Sequence, residues 1–344
     1  MFKLMRKYPI LNYYFTKFFA YFLTIFGALT ITFFMFRLIP ANPIENWLRS
    51  LEAQYSLTID GGDAMVNSYK EKFGMTGTLW QQYVRYMYNV IFHFDLGPSF
   101  INFPRPVSEL LAEALPWTMG LLAVSISISW VLGLLVGAVA AWFRDSPVSG
   151  TITNISIALS QVPAYLIALF LVLFIGYQWK LLPTRGAFDG QYAIGWNLDF
   201  IRSVARHSIL PALAIVTVSL AAWILSTRSL VISNLGEDYL LYAEAKGLKS
   251  GDIMTKYALR NAMLPQATGL ALTMGSMMSG QLLIEHMFVY PGLGQVMGRA
   301  IAIFDYNAMM GLIILSVVSV MTASLAVDLL LPVIDPRIRT AIKA

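Results

Sequence analysis

The chain has 344 residues, of which 57% are hydrophobic and 12% are charged, and its formal net charge is +5. Its mean hydropathy is +0.64. So little polar surface cannot cover a water-soluble domain of this length, which excludes that class and indicates a membrane protein. The chain contains no cysteine, which excludes a disulfide framework and a thiolate metal site.

Six hydrophobic runs are long enough to cross a hydrocarbon core of about 30 Å, which needs roughly 20 apolar residues in a helix. None shows the two-residue alternation of a barrel strand, so we predict an all-α polytopic membrane protein with six transmembrane helices. The helices are predicted over residues 13–39, 115–143, 152–179, 209–232, 265–284 and 308–333. Residues 115–333 would then form the core of helices two to six, between tails at residues 1–12 and 334–344.

The amino-terminal tail is basic and resembles the charged region of a signal peptide, but no cleavage pattern follows, so we predict a retained first helix. With a cytoplasmic amino terminus, six helices place the carboxyl terminus there too. The segments on that side carry the higher density of Lys and Arg, which favours this topology. The loop after the third predicted helix is an exception, because it would lie outside the cytoplasm and yet has four basic residues: Lys180, Arg185, Arg202 and Arg206. The charge is therefore spread by topology, and no nucleic-acid-binding patch is predicted.

Residues 40–114, between the first two predicted helices, form the long outer segment. Within it, Thr78 to Phe94 predicts an amphipathic helix rich in aromatic side chains, which suit the level of the lipid headgroups. Two roles are open for this segment: a lid packed on the outer ends of the helices, or contact with a substrate.

The loop between the fourth and fifth predicted helices, about residues 233–264, is charged and rich in helix formers. Glu237 and Asp238 favour a helix start, and Gly247 stands where a carboxyl-terminal cap prefers glycine. Ser250 or Asp252 can begin a second helix. The pattern predicts two short helices joined by a tight turn on the cytoplasmic face. It is either a docking element for a partner or an ordinary interfacial hairpin.

Residues 243–248, Ala-Glu-Ala-Lys-Gly-Leu, and residues 258–265, Ala-Leu-Arg-Asn-Ala-Met-Leu-Pro, resemble the coupling loop of permease subunits of ABC importers. The version is that of the dipeptide and oligopeptide group, B-type subunit. Further stretches agree with that group, at residues 82–83, 95–97, 105–110, 210–213, 290–294 and 335–339. The resemblance extends from about the first predicted helix to Arg339.

The resemblance implies one half of a translocation pore in a bacterial inner membrane, for peptides delivered by an external substrate-binding protein. It implies a second, distinct permease subunit and two cytoplasmic ATPases. The residues that would couple to an ATPase are Tyr239, Ala243, Glu244, Ala245, Lys246, Gly247 and Leu248. The broader importer motif begins Glu-Ala-Ala six residues before its glycine, where this chain has Leu241, Tyr242 and Ala243.

The chain contains no Gly-Lys pair and therefore no phosphate-binding loop of the ATPase type. We predict that it is not an enzyme and binds no cofactor, and that ATP and Mg²⁺ are bound by the partner ATPases. Its three histidines, His93, His207 and His286, lack the spacing of metal ligands, so no metal site is predicted.

Other functions remain open at this point. The same machinery imports oligosaccharides or nickel in some members of the group that the chain resembles. An ion-coupled secondary transporter needs ionisable residues near the midplane, whereas Arg37, Glu285 and Asp328 lie near predicted helix ends. A channel is poorly supported, since no filter-like loop is visible.

Two further groups of residues are candidates for contact with cargo or with the binding protein. The translocation pathway is predicted to include small, polar and flexible side chains of the third and fifth helices, although plain helix packing would explain them equally. They are Ser160, Gln161, Pro163, Met274, Met277 and Met278. A tight outer turn near the docked binding protein is predicted at Tyr290, Pro291, Gly292 and Gly294.

Overall fold

The computed structural model describes residues 9–39, 44 and 62–334. The secondary structure of these residues is helical and includes no β-strand; one isolated bridge pairs Pro98 with Pro106. The all-α class is therefore confirmed for this part of the chain. The tails and most of residues 40–61 lie outside the described residues, and so does the predicted motif at residues 335–339.

Thirteen α-helices, numbered in chain order, occupy the described residues. They are α1 (Pro9–Arg37), α2 (Gly62–Lys72), α3 (Leu79–Tyr88), α4 (Val107–Trp142), α5 (Pro147–Ser160), α6 (Ala164–Leu171), α7 (Leu198–Leu235), α8 (Asp238–Ala245), α9 (Ser250–Asp252), α10 (Arg260–Gly275), α11 (Leu282–Met287), α12 (Leu293–Ile303) and α13 (Tyr306–Ile334). Wider π-helical turns follow α3, α6 and α9, at Asn89–His93, Val172–Gln178 and Ile253–Leu259.

Four of these helices are long and apolar enough to cross a membrane: α1, α4, α7 and residues 306–330 of α13. A fifth span is formed if α5 and residues 164–178 are counted together, although the two parts are bent by 95°. The bend falls at residues 161–163, where Pro163 cannot donate a backbone N–H to continue α5. The described chain thus has the helices of a multi-pass membrane protein.

The fifth predicted helix, residues 265–284, is divided. Helix α10 begins earlier, at Arg260, and ends at Gly275 after 16 residues. A 3₁₀ turn, Ser276–Ser279, follows, and Gly280 adopts a φ of +70° before α11 begins. A positive φ is not helical, so the run cannot be one continuous helix. Hydropathy alone does not show such a break.

The chain forms two compact units, and the first comprises the described residues up to Thr118 together with residues 275–286 and 291–334. In this unit α13 packs along α1. The Lys17 ammonium lies 3.0 Å from Asp328 Oδ1, and the Tyr13 hydroxyl donates to the Asp328 carbonyl oxygen. Asp328, an ionisable residue of a membrane-spanning helix, therefore has a partner of opposite charge.

Helix α3 confirms the aromatic helix predicted in the outer segment. Thr78 begins it with a reciprocal capping box, in which its hydroxyl accepts from the Gln81 N–H and its own N–H donates to Gln81 Oε1. Tyr83 and Met87 pack in a buried cluster with Phe33 of α1. The helix is therefore fixed to the first membrane span by its apolar face.

Asp305, which is buried, joins the start of α13 to a loop more than 200 residues earlier. Its carboxylate accepts hydrogen bonds from the Ser99 hydroxyl and from the backbone N–H groups of Phe100, Ile101 and Ala308. Burial raises the pKa of Asp305, and these donors oppose the rise. One side chain thus caps α13 and fixes the loop.

Replacing Asp305 by asparagine should lower the thermal stability of the protein. An amide has one acceptor oxygen and would turn its NH₂ group towards buried donors, leaving at least one unpaired at a cost of about 1–3 kcal/mol. Melting temperature in detergent measures the effect. Asp145→Asn is the matched control, because the Asp145 side chain is 97% exposed. Equal melting temperatures for the two variants would contradict this role of Asp305.

The second unit comprises residues 119–274 and 287–290. Here α5 and α6 pack against α7. Helix α4 also approaches α7 closely through two glycines four residues apart. A Cβ atom at Gly133 would lie 2.3 Å from Trp223 Cβ, and one at Gly137 would lie 2.7 Å from the Ile224 carbonyl oxygen. This small-residue spacing allows backbones to approach in a membrane, where dispersion contacts drive helix association.

Candidate functional site

Two helical segments, α8 and the stretch from α9 through the π-helical turn, form a hairpin over residues 238–259, here called the Gly247 hairpin. Helix α7 ends at Leu235, and α8 begins after Glu237, with Asp238 in its first turn. An acidic side chain there interacts favourably with the helix dipole. The predicted pair of short helices is therefore present, all of it within the second unit.

The turn of the hairpin is a Schellman motif. The Leu248 N–H donates to the Ala243 carbonyl oxygen at 3.3 Å, and the Gly247 N–H donates to that of Glu244 at 2.8 Å. Gly247 has a φ of +73°, and no heavy atom outside its chain neighbours lies within 4 Å of the position that a Cβ would occupy. Glycine is therefore required here by backbone conformation and not by packing.

The second helical segment of the hairpin, here called the return helix, is continuous with α10. Lys249 precedes α9, and the π-helical turn Ile253–Leu259 leads directly into α10. We expected Pro265 to open a helix, but it lies inside α10. Proline has no N–H group to donate to the Asn261 carbonyl oxygen, one turn earlier. Because Asn261 is exposed, the loss of this hydrogen bond costs less than it would in a buried turn.

The base of the hairpin is a buried apolar cluster. Asn234 Nδ2 also donates to the Ala258 carbonyl oxygen at 3.1 Å, which links the end of α7 to the return helix. The fully buried members of the cluster are Ala141, Val231, Leu240, Ala243, Ile253, Ala258 and Ala262. Since these side chains come from α4, α7, α8, the π-helical turn and α10, the hairpin is held rigidly to the helices that precede and follow it.

The tip of the hairpin presents large apolar side chains among charges. Tyr242 is 69% exposed and Leu241 is 58% exposed, and Leu248 is also exposed. Around them the charged side chains of Glu244 and Lys246 are exposed as well. Exposed apolar groups rimmed by charge are typical of a surface that binds another protein.

One ion pair stabilises the return helix of the hairpin. Lys256 Nζ lies 2.8 Å from Asp252 Oδ1, one helical turn earlier. The hydrogen bond to Asp252, helped by its charge, raises the pKa of Lys256, so this lysine stays charged at neutral pH. The pair is exposed and contributes little to stability.

The predicted coupling residues are brought together on this hairpin. Ala243 is buried in its base and Tyr239 is partly buried, whereas Glu244, Ala245, Lys246, Gly247 and Leu248 are exposed. Sequence reasoning had treated Leu241 and Tyr242 only as departures from a motif. The structure makes them the largest exposed apolar groups of α8. Their exposure could have been predicted from the apolar run at residues 240–243, because four consecutive residues cannot all lie on one face of a helix.

The predicted pathway residues fall into both units. Ser160, Gln161 and Pro163 lie at the bend after α5 in the second unit, and Gln161 and Pro163 are exposed. Met274 belongs to the same unit and is partly exposed. Met277 and Met278 belong to the first unit, where Met277 is buried and Met278 packs against an apolar cluster. Contact of these residues with cargo stays a prediction.

The predicted outer turn is buried. Gly292 and Gly294 lie inside the first unit, and neighbouring Pro291 is partly buried. Tyr290 is buried in the second unit, where its hydroxyl lies 3.1 Å from the Ser208 hydroxyl. Packing explains these residues, and contact with a binding protein stays a prediction.

Glu285 is the buried carboxylate around which the Gly292–Gly294 segment folds. Its Oε2 accepts from the Gly294 N–H at 2.7 Å and its Oε1 accepts from the Gln281 N–H at 3.1 Å. The Thr118 hydroxyl donates to the same carboxylate and accepts from the Leu293 N–H at 2.7 Å. Glu285 and Thr118 thus cap the first turn of α12. The sequence had shown Glu285 only as a charge near a predicted helix end.

Comparison with known proteins shows the family to which the chain belongs. Residues 133–340, more than half of the chain, match the family described as binding-protein-dependent transport system inner membrane component. The dipeptide transport system permease protein DppB of Lactococcus lactis subsp. cremoris is 30% identical over 317 residues, covering 92% of this chain and 95% of that protein. DppB of Escherichia coli K12 is 30% identical over 338 residues, with the same coverage.

A third relative is the oligopeptide transport system permease protein AppB of Bacillus subtilis, which is 31% identical over 269 residues, covering 78% of this chain and 83% of that protein. The two DppB matches span nearly the whole chain, and an inner membrane component agrees with its long apolar helices. The chain therefore belongs to the family of inner membrane components of binding-protein-dependent transport systems.

Proposed function

We propose that this chain is the B-type permease subunit of an ATP-driven importer of dipeptides and oligopeptides. The observation that carries the proposal is the Gly247 hairpin, which combines a buried base, a turn that requires glycine and an exposed apolar tip. The peptide cargo is suggested by the relatives, which are named as dipeptide and oligopeptide permeases.

In this proposal the chain pairs with a second permease subunit, and each half of the pore rests on one cytoplasmic ATPase. ATP and Mg²⁺ are bound by the ATPases, and an external binding protein delivers the cargo. The divided run at residues 265–284 supplies the remaining crossing, which makes six spans with both termini in the cytoplasm of a bacterium.

Coupling follows from the rigidity of the hairpin. An ATPase that grips Leu241, Tyr242 and Leu248 moves the base as well, since Leu240 and Ala243 of the same short helix are buried in it. The base includes residues of α4, α7 and α10. Closure of the two ATPases is thereby transmitted to the membrane helices, which alternate between outward and inward access.

The proposal is tested by reconstituting the chain in nanodiscs with its genomic neighbours and measuring ATP hydrolysis. We expect the binding protein loaded with dipeptide to stimulate hydrolysis, whereas a binding protein loaded with an oligosaccharide does not. Stimulation by the oligosaccharide alone would assign a different cargo to the same machinery. The absence of any associated ATPase would contradict the proposed function itself.

A further inference from the structure

Four basic residues lie on the chain between residue 180 and the first turns of α7, here called the 180–206 segment: Lys180 and Arg185 are in the loop before α7, and Arg202 and Arg206 are in α7. Lys180, Arg185, Arg202 and Arg206 form no ion pair with any residue that the structure describes. In the proposed topology the 180–206 segment is external, where the distribution of charge in membrane proteins disfavours Lys and Arg. Four unpaired cations on this side of the membrane therefore require another explanation.

Two of the four cations line an open cavity of about 300 Å³ that lies wholly within the second unit. Lys180 and Arg206 contribute the positive charges. The remaining lining residues are Gly176, Tyr177, Leu182, Pro183, Thr184, Asp189 and His207. Arg185 and Arg202 do not line the cavity, so the 180–206 segment contains one pair of cations in the cavity and one pair outside it, which can be compared directly.

The single carboxylate in the cavity lining is already engaged. The Ser203 hydroxyl donates to Asp189 Oδ2 at 3.0 Å and accepts from the Asp189 N–H at 2.9 Å. His207 Nε2 lies 3.6 Å from Asp189 Oδ1. Asp189 is therefore held on the α7 side of the cavity and does not pair with Lys180 or Arg206.

His207 is oriented by its other ring nitrogen. Nδ1 lies 2.8 Å from the Ser203 carbonyl oxygen, which can only accept, so Nδ1 carries a proton and donates it. The imidazole is buried and fixed. Arg206 is less constrained, because its contact is one 3.4 Å hydrogen bond to the Leu181 carbonyl oxygen. The cavity thus has a rigid wall and two exposed, adaptable cations.

Gly176 allows two parts of the cavity lining to pack closely together. A Cβ atom at Gly176 would lie 2.1 Å from Thr184 Cγ2, so the loop that follows α6 packs directly on the helical backbone. The loop is also tied down by the Gly186 N–H, which donates to the Phe288 carbonyl oxygen at 2.8 Å. The shape of the cavity is therefore held by packing and by backbone hydrogen bonding within the second unit.

We infer that this cavity receives an acidic side chain of the external binding protein, which pairs with Lys180 and Arg206. The inference rests on the proposed function and on the family to which the chain belongs, whose members depend on a binding protein. Charge complementarity supports this occupant, since two cations face a cavity whose carboxylate is engaged. The cavity is open at its surface and accommodates one side chain, which suits docking of a protein.

The test compares two double variants of the complete transporter in nanodiscs of neutral phosphatidylcholine. Lys180→Gln with Arg206→Gln should raise the Kd of the binding protein by about tenfold or more, since one lost interaction of 1.4 kcal/mol is tenfold. Arg185→Gln with Arg202→Gln removes the same charge from the same 180–206 segment, again one residue of the loop and one of α7, and should change the Kd by less than about twofold. Basal ATP hydrolysis by both complexes monitors assembly.

A reciprocal exchange of charge makes the test specific. Lys180→Glu should weaken docking, and a Glu→Lys or Asp→Lys variant of the binding protein, found by scanning its acidic surface, should restore it.

An unchanged Kd for the cavity variant, or an equal loss in the control variant, would overturn the inference. So would a normal Kd with reduced transport of a dipeptide but not of its carboxyl-terminal amide, because that result assigns the site to the peptide. Failure of the unmodified complex to respond to the binding protein would instead reject the proposed function.

Discussion

Replacing Gly247 by valine should uncouple ATP hydrolysis from transport while the protein still inserts in the membrane. The turn places residue 247 at a φ of +73°, and a left-handed conformation costs a non-glycine residue about 1–2 kcal/mol. The ratio of correctly turned to unturned hairpin should therefore fall by about 5- to 30-fold. Dipeptide uptake into proteoliposomes, measured beside ATP hydrolysis, reports the effect.

Gly251→Val is the matched control for this experiment. Gly251 lies four residues further along the same exposed hairpin, has no positive φ, and also has open space where a Cβ would be placed. Valine there changes bulk and hydrophobicity equally but does not strain the turn. Gly247→Asn should retain more transport than Gly247→Val, because asparagine tolerates the left-handed region. Normal uptake by Gly247→Val would count against coupling through this turn.

Replacing Glu285 by glutamine should destabilise the first unit strongly. The glutamate accepts backbone hydrogen bonds on both oxygens, from Gln281 and from Gly294, and its side chain is fully buried. Glutamine has the same shape but only one acceptor oxygen, so an N–H group is left facing the amide NH₂ at a cost of about 1–3 kcal/mol. A lower melting temperature and a reduced yield of assembled complex are the expected results.

His286→Ala is the control for the glutamate variant. His286 is the next residue of α11, and its ring forms an exposed hydrogen bond to Gln295. Removing it leaves no buried donor unpaired, so the melting temperature should change little. If Glu285→Gln were as stable as His286→Ala, the carboxylate would not be the element that holds the α12 start in place.

Several parts of the fold follow from properties that are local in the sequence. Hydrophobic runs are local, and they correctly predicted an all-α membrane protein and the first, second, fourth and sixth of the predicted helices. The turn at Gly247 is local as well, since glycine alone adopts its φ without strain, and charged helix formers on both sides predicted the short helices. The capped aromatic helix that begins after Thr78 follows from the same kind of signal.

Other features depend on residues that meet only after folding. Glu285 looks in the sequence like a charge near a helix end, but Thr118, far away in the chain, contacts it and makes it a buried cap. Asp305, which the sequence did not single out, is made a buried cap by its contact with Ser99. Met277 has the flexible side chain of a candidate pathway residue, and the structure places it in a buried position of the first unit. Hydropathy could not show these outcomes, because it does not state which side chains will be neighbours.

The membrane class, the position of the Gly247 hairpin and the resemblance to importer permeases can be read from the sequence alone, since each rests on residue types at short spacing. The place where the fifth hydrophobic run is divided, and the apolar groups of the hairpin that are exposed, become visible only in the folded chain. The fold likewise brings Lys180 and Arg206 to one cavity that Arg185 and Arg202 do not line. These outcomes are set by packing and by the pairing of buried polar groups, and both require contacts between distant parts of the chain.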